Sequence, residues 1–491
     1  MNNIIPLMVI TPLAAGFIIA LLPDRLLKIA EFIAVMASVL VFFGALALYG
    51  YNGIYEIGGW NYPVGIAMSI DAFSWLMLIN ISILNFFILI FSLEYMKKYT
   101  SKRSFYVLFC MMVAGINGTL LAGDIFNRFV YVELTAIASY ALVGFGCDSK
   151  ELAAAMKYAV FGAVASSITL LGIGMIYGIF GTVNITHLGT KIAAGQPVTL
   201  SLTALFMAAC LMMVGFGFKA AIMPFHIWQP DVLSSSSAPV GAMISGGFIG
   251  TVGAYAMFRT VFAVFGINVH LGWIVSFIGI ISMVGGAVLA QKKENFKRFI
   301  SYLSISQMGY VFLGVGLGGL IFARGGNISA SGLALMGGIF HLINHLFFKP
   351  LLFLGTAAEE YQNRQDNSEK VPGRAFGLMA LAGIPPFGGG ISKIMIIAAC
   401  FMGGHYWVGF VAVLTALFTV FLIFKRKEIK LSGRYIKLPL LIKIPITGLS
   451  VISLILALLA LPVFRPLALE PAYRSIVNNT SEFTKDEVKS P

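Results

Sequence analysis

Long apolar runs, each about the twenty residues needed to cross a hydrocarbon core of roughly 30 Å, recur from one end of the chain to the other. Fourteen of them begin near Ile4, Ile29, Phe73, Ser104, Ile125, Ala153, Leu200, Ala238, His270, Ile300, Ser329, Arg374, Tyr406 and Leu440. The polar stretches between them are short, and no soluble domain fits among them. The pattern predicts an all-α polytopic membrane protein of about fourteen transmembrane helices. The first run lacks a basic start and no cleavable mature domain follows it, so it reads as a helix rather than a signal peptide.

Composition agrees: 59% of the 491 residues are hydrophobic and 11% charged, against about 25% charged in soluble domains. A formal net charge of +13 could suit nucleic acid, but its placement argues against that partner. Lys and Arg crowd into alternate links, among them "MKKYTSKR" (96–103), "QKKENFKR" (291–298) and "FKRKEIKLSGRYIK" (424–437). By the positive-inside rule those links face the cytoplasm. An even helix count then puts both termini outside a prokaryotic cytoplasmic (inner) membrane. The opposite loops and the tail hold Arg128, Lys191, Arg259, Arg324, Arg465, Arg474, Lys485 and Lys489. The polar tail after Val463 is expected to be partly disordered.

Most acidic residues fall in loops or at helix ends, as Asp71, Glu94 and Asp124 do, but Glu133 lies deep in the fifth run. Eight residues from its start, it sits about 12 Å along a helix. Three lysines are equally deep: Lys219, Lys349 and Lys393. A charge near the bilayer centre costs about 2.5–3.5 kcal/mol on insertion scales, so it needs a partner and usually marks an ion or proton route. Glu133 and Lys219 can be a structural ion pair or a proton-binding pair, and the second reading is preferred. Lysine suits a switch because its proton affinity moves with its surroundings, whereas arginine stays charged.

Two runs carry helix breakers beside their lysines. "GFGFKAAIMPFHIWQP" (215–230) places Pro224 five residues after Lys219, and "LAGIPPFGGGISK" (381–393) places Pro385 and Pro386 before Lys393. Paired Gly/Pro interruptions in two halves of a transporter point to inverted repeats around a midplane ion site. The boundaries read from this are 1–103 (helices 1–3), 104–263 (first repeat, helices 4–8), 264–427 (second repeat, helices 9–13) and 428–491 (helix 14 and tail). Between the breaks, "HLINHLFFKP" sets His341, His345 and Lys349 at i, i+4 and i+8 on one helix face, and Pro350 is expected to kink or break that helix. A metal reading of this HxxxH spacing is disfavoured, since Leu342 stands beside His341, a glutamate base is missing and Lys349 would repel the ion. A hydrated proton relay fits the row better. His226, beside Trp228 as an interfacial anchor, is either a structural cap or a proton-uptake group.

Cys110, Cys147, Cys210 and Cys400 show no paired spacing, so any redox cofactor must belong to a partner. With three of them inside apolar runs, they read as buried small hydrophobes.

"SIDAFSWLMLINISILNFFILIFSLEYM", "VYVELTAIASYALVGF", "FKAAIMPFHIWQPD", "FKRFISYLSISQMGY", "HLINHLFFKPLLFL" and "LAGIPPFGGGISK" resemble, in order and spacing, the proton-translocating antiporter-like family. That family includes antiporter-like subunits of respiratory complex I, D-type subunits of Mrp antiporters and membrane subunits of energy-converting hydrogenases. The likeness covers roughly residues 70–425. It implies two inverted five-helix repeats with broken helices 7 and 12, Glu133 and Lys219 as the coupling pair, His341 to Lys349 as the central relay and Lys393 as the exit site. It also implies partner membrane subunits in a larger complex and a soluble redox arm as a further possibility, with iron–sulfur or other redox centres confined to partners. Two departures stand out. Thr251 in "GTVGAY" stands where many members carry a lysine, leaving a hydroxyl that can order water but cannot store a charge. Leu233 in "PDVLSSSSAP" stands where a histidine is common.

The leading expectation is a proton-translocating subunit of a multisubunit complex I-like, hydrogenase-type or Mrp-type assembly. Alternatives are a Na+/H+ antiporter subunit without a redox partner, a self-sufficient secondary transporter and a non-transporting spacer. Sodium lacks the oxygen-rich cluster that a hard cation favours.

Overall fold

The computed structural model describes residues 3–60, 65–99, 101–193, 202–362, 369–370, 372–426, 429, 434–435 and 438–481. Lys485 and Lys489 lie outside the described residues. The chain opens with α1 (Ile4–Leu21) and α2 (Leu27–Ala47), then an antiparallel pair β1 (Gly53–Glu56) and β2 (Ala67–Ile70). Next come α3 (Ala72–Tyr95), α4 (Lys102–Leu121), α5 (Ile125–Val143), α6 (Ser149–Phe180) and the short α7 (Ile185–Ala193). The following stretch is interrupted: α8 (Leu202–Lys219), α9 (Gln229–Ser235), α10 (Ala238–Met243), a π-helical segment (Ile244–Tyr255) and α11 (Ala256–Phe265). Then follow α12 (Val269–Gln291), α13 (Phe296–Ala323), α14 (Ile328–Gln362), α15 (Pro372–Ala382), α16 (Gly388–Met402), α17 (Tyr406–Lys425), α18 (Leu440–Ile455) and α19 (Leu469–Ser481). Two residues before α15, Glu369–Lys370 (β3), pair in parallel with Arg434–Tyr435 (β4).

This is an all-α multi-pass membrane protein. Among the described residues, eleven helices are long and apolar enough to span a bilayer. Three expected runs fall short of that description. α5 carries Asn127, Arg128 and Glu133 among its apolar residues, α8 stops at Lys219, and the twelfth run is divided into α15 and α16.

Burial separates a core from an exposed apolar shell. The most apolar windows of α13 and α14 are 94% buried and that of Ala238–Phe262 is 100% buried, against 33% for α2 and 39% for α1, α6, α17 and α18. The deep charges therefore sit around a central layer of α10, the π segment, α11, α13 and α14, with apolar outer helices left exposed. Helix starts are set by side-chain caps that satisfy otherwise free amides: Asp71 accepts from Ser74 N, Asn268 from Leu271 N and Asn295 from Arg298 N.

One expectation from the sequence is corrected. Pro350 does not end a helix, because α14 runs unbroken from Ile328 to Gln362. Pro350 and the Leu346 carbonyl four residues back both lie against Gly246, so the ring and the carbonyl it displaces are accommodated by a neighbour without a side chain. The tail is helical over Leu469–Ser481, and residues 482–491 lie outside the described residues. Leu469, Ala472 and Ile476 bury one apolar face of α19, which packs against α3, α11 and α14.

Candidate functional site

α8 ends on Lys219, and the chain turns through Ala220–Trp228 before helix resumes at Gln229. Ala221 adopts a left-handed conformation (φ 53°), a strain of about 1–2 kcal/mol for a side-chain-bearing residue. Pro224 lies in this turn, as its missing donor requires. Trp228 corrects the interfacial reading: it is fully buried, and its indole N–H donates to the Phe218 carbonyl over 2.9 Å. The Ala221 amide also donates to that carbonyl, at 3.0 Å, so the turn and the indole together close the end of the helix.

Lys219 is 1% exposed. Its Nζ lies 3.3 Å from Glu133 Oε1 and 3.3 Å from Tyr140 Oη. Glu133 also accepts a hydrogen bond from Ser166 on α6. Glu133 and Tyr140, seven residues apart, share one face of α5. A carboxylate, a phenol and an ammonium are thus assembled at a helix end, whose Phe216, Gly217 and Phe218 carbonyls are held by amides of the turn.

The second break, Gly383–Phe387, separates α15 from α16 and contains Pro385 and Pro386. Lys393, on α16, reaches back across it and donates to Leu381 O at 2.8 Å and Ala382 O at 3.4 Å. These are last-turn carbonyls of α15, where a cation is favoured. On α14 the expected row is formed against α13 and α16. Lys349 donates to the Ile300 carbonyl, His345 Nε2 lies 2.9 Å from Ser304 Oγ, and His341 Nδ1 lies 2.8 Å from Ser392 Oγ, next to Lys393. Tyr310 stands between the two groups, its ring centroid 5.8 Å from that of His341 and 5.4 Å from Lys393 Nζ.

Residues 122–419 match the family model of the NADH:quinone oxidoreductase/Mrp antiporter transmembrane region, and residues 57–106 match that of the complex I chain 5 N-terminus. The chain belongs to this family. A D-type subunit of a Na+/H+ antiporter from Alkalihalophilus pseudofirmus is 30% identical over 95% of this chain and 96% of its own. An N-type subunit of the NADH-quinone oxidoreductase of Desulforudis audaxviator is 29% identical over 79% of this chain and 76% of its own. Among solved structures, a chain of the Mrp complex from a Dietzia species superposes with a TM-score of 0.83 at 25% identity, covering 98% of this chain and 99% of that one.

In this member of the antiporter family the two polar groups are not joined directly: among the described residues, no hydrogen bond links Lys219 to the His341 row. Thr251 lies in the π segment, which packs against both α8 and α14, and it is fully buried, with its hydroxyl donating to Gly247 O of its own helix. Gly250 of that segment faces Leu346 and Leu342 of α14. Leu233 is buried among apolar residues and has no proton to carry. His226 is half-buried in the turn after α8, its ring 6.3 Å from that of Tyr302.

Sequence reasoning passed over several polar groups. Gln307 is fully buried on α13, one turn from Ser304, and both of its amide atoms lack a protein partner, as do His341 Nε2 and His345 Nδ1. Buried polar groups are satisfied by protein or by ordered water, so this seam is suited to a hydrated relay. Its signal was the Ser304–Gln307–Tyr310 spacing in "SISQMGY". Arg128 and Arg259, assigned to outward loops, instead lie buried in α5 and α11. Arg128 donates to Ala122 O at 2.7 Å and to Thr260 at 3.2 Å, and Arg259 pairs with Asp71. Of the cysteines, Cys110 and Cys400 are buried, Cys210 is half-buried and Cys147 is exposed.

Proposed function

We propose that this chain translocates protons as one membrane subunit of a larger complex, with Glu133/Lys219 as the coupling pair, the His341–His345–Lys349 row as the central relay and Lys393 as the release group. The observation that carries this reading is the 3.3 Å contact between a buried lysine and a carboxylate at the end of an interrupted helix. Breaking a buried pair leaves an uncompensated charge, so the protonation state of one member governs that of the other. Family membership and a likeness over nearly the full length to a D-type antiporter chain support the same assignment.

Fourteen crossings, two inverted repeats spanning 104–263 and 264–427, and outward termini complete the proposal. Similarity to a chain of a multisubunit complex supports further membrane subunits as partners. Iron–sulfur or other redox centres, where the complex has them, belong to partner chains.

Lys219→Ala and Glu133→Ala are each expected to reduce proton transport by assembled complexes in inverted membrane vesicles at least tenfold. Near-normal transport in both would sink the proposal. Iron and acid-labile sulfide assays on the gently purified complex identify the driving reaction: stoichiometric content means a redox-driven pump, and none with partners intact means a cation/proton antiporter.

A further inference from the structure

A cavity of about 660 Å³ opens between α6, α9 and α13 and is lined by Asp148, Lys150, Lys157, Asp231, Ser235 and Arg298, among others. Asp231 on α9 divides its carboxylate between two helices: Lys157 of α6 reaches Oδ2 at 2.6 Å, and Arg298 of α13 pairs with Oδ1. Lys157, Asp231 and Arg298 are 36%, 29% and 47% exposed in their side chains, so bulk water reaches this ion cluster.

The inner end of the cavity leads toward Lys219. Ala154 lines it, and Tyr158 lies four residues on, about 6 Å further along the same face of α6. The Tyr158 hydroxyl meets Ser139 Oγ at 3.2 Å, and its ring stands edge-on to Tyr140 at 4.5 Å. Tyr140 Oη is the group 3.3 Å from Lys219 Nζ. Gly162 leaves the space this requires, since a Cβ there would overlap the Tyr140 hydroxyl. Tyr158 also stacks on Trp228 at 4.3 Å, which fixes α9, and hence Asp231, relative to the break. The buried side chains of Gln229, Ser236 and Ser237 at the two ends of α9 lack protein partners, so polar groups continue inward on this side.

The geometry points to this cavity as the proton-uptake vestibule, with Asp231 as the acceptor that serves Lys219 through the Tyr158, Ser139 and Tyr140 hydroxyls. The inference rests on the function proposed above and supplies the uptake group that the leucine at 233 cannot. When Lys157 or Arg298, both partly exposed, swings away from Asp231, the released carboxylate oxygen can take a proton from bulk water and pass it inward. Among the described residues no hydrogen bond joins Asp231 to Tyr158 or Ser139 to Tyr140, so ordered water bridges those two gaps in the route. Each water or hydroxyl inward accepts one proton while passing on another, and the proton delivered at the far end becomes the third N–H of a neutral Lys219 amine. The charged and titratable groups facing Asp231 are Lys150 and Lys157 from α6, Asp148 just before it and Arg298 from α13.

The test uses the native complex in inverted vesicles, driven by the reaction that the iron assay identifies. Asp231→Asn is expected to cut proton transport at least tenfold at unchanged abundance of the chain, with Asp231→Glu restoring most of it. In a Cys147→Ser background, Ser235→Cys modified by a charged thiol reagent from the Lys/Arg-rich face is expected to block transport, and the same reagent from the other face to leave it intact. Transport within twofold of wild type in Asp231→Asn, or after complete Ser235→Cys modification, overturns the vestibule while a dead Lys219→Ala keeps the function. Active Lys219→Ala overturns both. Should Asp231→Asn fail to accumulate, the Ser235→Cys arm decides alone.

Discussion

Asp71 uses one carboxylate oxygen to cap α3 through Ser74 N at 2.9 Å and the other to hold Arg259. Burial by itself would raise this carboxyl, but Arg259 and the bonds from Ser74 outweigh it and keep it below the ordinary aspartate value. A depressed carboxyl contributes stability that is complete above the unfolded value and is lost as pH falls through the folded one. This end of the molecule should therefore weaken only in acid well below neutrality. Asp71→Asn strands a guanidinium that is 9% exposed, a change expected to destabilise by about 3 kcal/mol. Thermal unfolding of the detergent-solubilised complex measures it, and an unchanged midpoint would show that Arg259 finds another partner. At this scale the sequence was partly legible. Glu133 and Lys219 stood out because a charge in an apolar run needs a partner whether its role is structural or functional, whereas Arg128 and Arg259 lie near run ends, where a pattern of hydropathy cannot tell a loop from a buried helical turn.

Among the elements, both breaks could be read from proline and glycine beside a lysine, since missing donors leave a helix no way to continue. Pro350 carried the same sequence signal without the outcome, because its fate depended on a glycine 104 positions earlier in the chain rather than on its own neighbours. The π segment was not legible at all. Its register is set by contact with the first break: a Cβ on Gly253 would overlap Ala220 Cα. Gly253→Ala must therefore push backbone from backbone, an overpacking cost of about 1–3 kcal/mol. It is expected to lower both the melting temperature of the complex and proton transport. Gly174→Ala, where a Cβ meets nothing within 4 Å, is the control expected to change neither, and equal behaviour of the two variants would remove the π segment from the argument.

For the whole molecule, the multi-pass helical fold was legible because apolar length and period are written along the chain, but the partition of helices between buried core and exposed shell was not. α13 and α14 become central only through packing. Orientation is testable with the native exposed thiol. Cys147 lies in a link assigned to the cytoplasmic face, so a membrane-impermeant maleimide should label it in inverted vesicles and spare it in right-side-out ones; the opposite pattern would invert the topology. The uninterrupted α14 has a thermodynamic consequence of its own. It packs against the π segment that abuts the first break and against both α15 and α16 at the second, so one body 35 residues long reports on both. Any bias it transmits is a linkage free energy and therefore reciprocal. The factor by which occupancy of Lys219 alters proton affinity at Lys393 must equal the factor in the reverse direction, and a drop in proton concentration on the release side would then be felt at the uptake side without any proton having crossed between them.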